Sequence, residues 1–190
     1  MTELKAIPNF DLLCDKFGFI YDLKKQKLPQ YFNRFNDKYL SVWVGDCWKF
    51  VHRLVCAAFH KNKCPETYCQ VDHIDRNCEN NCAANLRYVS LRLQNLNRTF
   101  KGFYWDKKMC KFFSRVCVDF KKYKLGYFRS PKKATNFYCQ VKKNIFDTIY
   151  RFETENYQPM LITRDMIKTI INETKKEKIQ SKSERSASFI

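Results

Sequence analysis

No stretch of this chain is long and apolar enough to cross a bilayer: the longest apolar run is Leu54–Phe59, whereas a spanning helix needs roughly 20 such residues. Nor does Met1–Leu13 hold the apolar core of a secretory signal. Both absences set the expectation of a soluble, intracellular protein, in the cytoplasm or the nucleus of a host cell. Acidic residues are scarce as well. Nineteen Asp and Glu face 36 Lys and Arg, for a formal charge of +17. A neutral partner would not require that excess, while a polyphosphate rewards it through counterion release. The cations alternate with aromatics along the whole chain instead of lining one amphipathic helix, so nucleic acid is the expected partner and a membrane surface is not. Internal repeats are lacking too.

What is present is enough to fold. Hydrophobic residues make up 45% and aromatics 16%, against 29% charged, well above the apolar content of a disordered chain. At 190 residues there is room for two small modules. Ten cysteines without a secretory signal read as reduced thiols, most of them packed in cores.

Short strands are expected at Phe19–Tyr21, Tyr39–Val44 and Cys47–Val51, with Gly45-Asp46 as a hairpin turn. A helix follows from His52 to Phe59, where Leu54, Val55, Ala58 and Phe59 share a face. Val71–Ile74 and Leu86–Val89 read as two strands around a stretch rich in asparagine, and Ser90 caps a helix from Leu91 to about Arg98. Three more strands are expected at Phe103–Trp105, Phe112–Val118 and Tyr123–Phe128. Pro131 opens a helix reaching about Phe146. Thr163 caps a last helix whose Met166, Ile167, Ile170 and Ile171 dock on the second module or on a partner chain, before a polar tail from Thr174.

Cleaving a phosphodiester requires an activated water, a cation to neutralise charge on the phosphate and leaving oxygen, and a scaffold that fixes both. Adjacent Asp72 and His73 supply a ligand and a base. On a strand they point to opposite faces, so a bend or bulge near Asp72 is needed if both serve one site. His52 opens a helix on an apolar stretch and reads as a packed, hydrogen-bonded residue, His60 as a solvated one.

The residues His52-Arg53-Leu54-Val55, Phe59, Val71-Asp72-His73-Ile74-Asp75, Asn77, Asn80-Asn81, Asn85-Leu86-Arg87-Tyr88-Val89-Ser90 and Asn97-Arg98 resemble HNH endonucleases of the intron-homing and viral type, over roughly residues 8 to 98. The resemblance implies a ββα-metal fold. In it His73 is the general base, Asp72 binds the divalent cation, and Asn85 holds the loop that orients His73. The third signature position, an Asn or His in the family, is Gln94 here. Gln has the same amide oxygen on one more methylene and still suits a hard cation if the backbone shifts. Asn95 is the less favoured ligand, since a helix turns it about 100° away. Oxygen ligands favour Mg2+ or Mn2+. Some relatives carry structural zinc, but Cys64, Cys69, Cys78 and Cys82 have Cys-x4-Cys and Cys-x3-Cys spacing instead of tight knuckles, so neutral thiols are preferred to a zinc site.

Lys101-Gly102-Phe103-Tyr104-Trp105, Lys111–Val118, Leu125-Gly126-Tyr127-Phe128 and the helix from Pro131 resemble the Apetala or ethylene-response-factor DNA-binding domain, over about Gly102 to Asn144. The resemblance implies a three-stranded sheet in the major groove of double-stranded DNA with a helix behind it. Period two places Phe113, Arg115 and Cys117 on one face and Phe112, Ser114, Val116 and Val118 on the other. The exposed face gathers Arg115, Lys122 and Lys124, with Lys111 leading in, and Arg115 is the candidate for a guanine contact. The turn Asp119-Phe120 departs from relatives that carry a Gly there.

The expected protein is therefore α+β. An HNH nuclease domain with an N-terminal β-rich extension (1–98) precedes a small antiparallel sheet packed on one helix (99–148), then a C-terminal helix and basic tail (149–190). Two functions remain open: a homing-type DNA endonuclease, or a catalytically weak or inactive HNH scaffold that only binds DNA. Gln94 separates them.

Overall fold

The computed structural model describes residues 3–33 and 36–187. Met1 and Thr2 of the stretch tested for a signal, and the last three residues of the C-terminal tail, lie outside the described residues. The chain divides into two compact units, Met1–Gln94 and Asn95–Ile190, of mixed α and β structure with small antiparallel sheets.

The first unit opens with a sheet of β1 (Leu4–Ala6), β2 (Leu12–Asp15) and β3 (Ile20–Asp22). A second sheet joins β4 (Tyr31–Asn33), β5 (Asn36–Val44) and β6 (Cys47–Phe50). Gly45, at φ +57°, makes the two-residue turn that sets Val44 opposite Cys47, a conformation glycine adopts without steric cost. α1 (Val51–Phe59) then buries Val51, His52, Leu54, Val55 and Cys56, the spacing of one helical face. These close a core with Ile7, Leu12, Cys14, Ile20, Val42, Val71, Ala83 and Leu86, in which each fully buried aliphatic contributes about 1.5–3 kcal/mol. β7 (Gln70–His73) pairs with β8 (Leu86–Val89), and α2 (Leu91–Asn97) follows. Ser90 accepts from Leu93 N at 3.4 Å, as a cap should.

In the second unit β9 (Tyr104–Asp106), β10 (Lys111–Val118) and β11 (Lys121–Phe128) form a sheet with β10 in the middle. Ser114, Val116, Val118, Tyr123 and Leu125 are buried, and the sheet packs on α3 (Pro131–Asn156), which buries Ala134, Phe137, Tyr138, Val141, Ile145 and Ile149. α4 (Arg164–Ala187) packs on α3 and β11. Its Ile167, Ile170 and Ile171 are buried, so this apolar face docks in cis. Thr163 caps it through Met166 N at 3.2 Å.

Both helices outrun their expected ends. α3 passes Phe146 by ten residues because Ile149 and Glu153 continue its buried stripe. α4 passes Thr174, itself buried, whose hydroxyl donates to Ile170 O and accepts from Asn144 Nδ2. Of the ten cysteines, none in a disulfide, only Cys14 and Cys56 are buried, which corrects the expectation that most are core residues. No helix among the described residues is long and apolar enough to cross a membrane.

Candidate active site

His73 is the last residue of β7, and the chain turns at once, with Arg76 N donating to His73 O at 3.0 Å. The residue is 5% exposed. Nε2 lies 3.2 Å from Asn81 Oδ1, while Asn81 Nδ2 points the other way, to Glu79 O at 3.4 Å. An amide oxygen only accepts, so in this pairing Nε2 is the donor. Tyr39 stacks on the ring at 6.0 Å and His52 packs against it at 5.3 Å.

His52 also contacts Tyr39 and Phe50. Burial, then the neighbouring charges of His73 and Arg53, push its pKa down to about 3, and its buried Nδ1 has no hydrogen-bond partner. It is packed and neutral, but the hydrogen bond expected for it from the sequence is not made at Nδ1. His60, expected to be solvated, is instead half-buried and hydrogen-bonds Ala83 O at 2.7 Å through Nε2.

The loop after His73 is tied by its asparagines. Asn85 accepts from Asp75 N at 3.0 Å and donates to Asp75 Oδ1 at 2.9 Å and Asn80 O at 2.8 Å. Its carbonyl accepts from Ile74 N at 2.8 Å. Slight burial works against ionisation of Asp75, but hydrogen bonds from Asn80, Asn77 N and Asn85 outweigh it and hold the carboxyl below its usual range. The N-terminal sheet braces the same loop. Gly18, at φ +96°, sits where a Cβ would come within 2.7 Å of Asn81 O, and Ala83 N donates to Lys16 O at 2.8 Å. Only glycine fits that approach.

Asp72 stands directly opposite Arg87 in an unbroken register, so the bulge expected near Asp72 is absent, and the chain bends only in the turn that follows His73. Arg87 Nε and Nη2 both donate to Asp72 Oδ2, at 3.0 and 2.9 Å; the side chains are 16% and 8% exposed. Gln94 is half-buried on α2, and Asn95 is exposed. Among the described residues, no three His, Cys, Asp or Glu side chains gather into a metal-holding group; Cys64, Cys78 and Cys82 are half-buried and Cys69 exposed, none of them in a disulfide.

In the second unit the odd-numbered β10 side chains face outward with β11. Arg115 pairs with Lys124 and Cys117 with Lys122, across a bulge at Ser114/Arg115. Arg115 lies over the Tyr104 ring at 4.8 Å, and Lys124 over Tyr127 at 4.6 Å and Phe113 at 5.8 Å. Lys111 opens the strand opposite Asp106. Asp119 and Phe120 both have positive φ, +46° and +62°, so the turn keeps a two-residue hairpin without the expected glycine, with Val118 opposite Lys121.

Residues 49–96 match the family HNH endonuclease. That segment runs from the end of β6 through α1, β7, β8 and most of α2. A solved structure of the HNH homing endonuclease I-HmuI, described for its DNA binding and cleavage, is similar at 21% identity and a TM-score of 0.44, covering 78% of this chain and 90% of that one. No curated protein matches significantly.

Two residues at this site went unassigned in the sequence reading. Asn81 and Arg87 both sit inside the quoted motif, but nothing in their spacing says that one returns to the His73 ring and the other to Asp72.

Proposed function

We propose that the chain is a metal-dependent DNA endonuclease of the homing type, with residues 1–98 as its nuclease domain and His73 as general base. The observation that carries this is the buried His73, hydrogen-bonded to Asn81, within a segment matched by the HNH endonuclease family. His73 Nδ1 takes the proton of the attacking water, Asn81 fixes the tautomer, and Asn85 braces the loop that holds Asn81. Tyr39 and His52 keep the ring from turning.

Asp72, with Gln94 or less favourably Asn95, supplies hard oxygen donors, which fit Mg2+ or Mn2+ in kind. Bound there, the cation neutralises charge on the scissile phosphate and the leaving oxygen. Residues 99–148 set position on double-stranded DNA. Arg115, Lys122, Lys124 and Lys111 reach phosphates and base edges, Phe113 and its neighbouring rings hold the cations in place, and the sheet is read as Apetala-like. α4 backs that sheet at β11.

A DNA-binding scaffold that does not cut is the second reading. It is favoured by Gln94 at the third signature position and by the pairing of Asp72 with Arg87. Supercoiled plasmid incubated with the purified protein and Mg2+ or Mn2+ separates the two. Nicked or linear product is expected; none, even at high protein with Mn2+, gives the binding-only reading the lead.

A further inference from the structure

The Asp72 carboxylate is already occupied by a cation, but an organic one. Arg87 Nε and Nη2 converge on a single oxygen, Oδ2, at 3.0 and 2.9 Å, in a pair that is largely buried. A divalent ion ligated by that carboxylate would lie about 2.1–2.5 Å from an oxygen. It would share the carboxylate with a fixed positive charge in surroundings that screen poorly. The two cannot both be held well.

We propose that Arg87 and the divalent cation compete for Asp72, and that a DNA phosphate, by drawing the guanidinium away, opens the carboxylate to the cation. The inference rests on the nuclease reading above and deepens it by making cation binding conditional on DNA.

Three features carry it. Arg87 is directly opposite Asp72 on the paired strand, so the ion pair is built into the hairpin register and does not depend on a mobile loop. The guanidinium is planar, and its paired N–H groups match a phosphate at least as well as a carboxylate, so a phosphodiester at the site gives it an equivalent partner. The formal charge of +17 brings that phosphate in at high local concentration. Without DNA the arrangement protects a buried carboxylate from standing unpaired, which is costly. With DNA the same carboxylate is left facing the cation site. Because such coupling is reciprocal, the cation tightens DNA binding by the factor by which DNA tightens cation binding.

Mn2+ binding to the full chain, followed by electron paramagnetic resonance in a His73→Ala background so that DNA stays intact, tests this without reading activity. Arg87→Gln is expected to bind Mn2+ at least about tenfold more tightly than its parent in the absence of DNA. Adding Asp72→Asn is expected to cancel that gain. Adding a duplex oligonucleotide is expected to raise the parent's affinity towards that of Arg87→Gln. Should circular dichroism show that Arg87→Gln does not fold, Arg87→Lys, which loses the fork, replaces it with a smaller gain in the same direction. If Asp72→Asn weakens Mn2+ binding but neither Arg87 variant strengthens it, the competition is overturned while the nuclease reading stands. If duplex leaves the parent's Mn2+ affinity unchanged, the role of phosphate is overturned. If Asp72→Asn changes nothing in any background, the cation does not bind at Asp72, and this inference falls together with that assignment.

Discussion

A histidine is a base only at the nitrogen that lacks a proton, so the choice of tautomer decides whether His73 can act. In the proposed mechanism Asn81 makes that choice, through an oxygen 3.2 Å from Nε2. Asn81→Leu keeps similar volume and removes the acceptor. Single-turnover cleavage is expected to fall on the order of 10²–10⁴-fold, as when an orienting group is lost from a base, with DNA affinity little changed in a gel-shift titration. His52 sets a second residue-level expectation. Its folded pKa, about 3, lies below the ordinary histidine value, so between those limits only the unfolded chain takes up this proton. Its contribution is fully present above about pH 6.5 and is lost at about 1.4 kcal/mol per pH unit as the pH falls towards 3. Urea melts at pH 7, 6 and 5 check this, and His52→Phe should flatten the slope over that range.

The Asp72-His73 run and the asparagine series are visible in the sequence because they are local. What the sequence could not show is which asparagine turns back to which group. Asn81 reaches His73 across a loop, and Asn85 reaches Asp75 instead of the ring. Those are consequences of loop closure, with Gly18 pressing on Asn81 from a distant turn.

At the scale of elements, the strand, loop, strand and helix order of residues 70–97 follows from periodicity and caps, and the structure has it. The strands β1, β2 and β4 are not legible because three or four residues, as in Leu4-Lys5-Ala6, show no alternation long enough to read. The ends of α3 and α4 were set too early because polar residues outnumber the apolar ones there, while single buried positions such as Ile149 and Thr174 sustain the packed face. The β10–β11 turn gives an element-level prediction. Phe120 is fully exposed at φ +62°, so its ring adds no packing within the fold while its Cβ opposes the left-handed conformation. Phe120→Asn should stabilise the protein by about 0.5–1 kcal/mol, measured by thermal or urea unfolding.

For the whole molecule, the positive charge is expected to act mainly on affinity and the β7–β8 hairpin mainly on rate. Replacing Lys122 and Lys124 with Ala should lower the slope of log affinity against log salt by about 2 if each meets a phosphate. The cleavage rate at saturating DNA should stay the same. The most direct check of the central claim is single-turnover cleavage of supercoiled plasmid in Mg2+ by the protein and by His73→Ala, with DNA affinity measured alongside. The account predicts nicked or linear product from the parent chain and a loss of at least about 10³-fold in the variant at equal affinity. Equal cleavage by the two would contradict it.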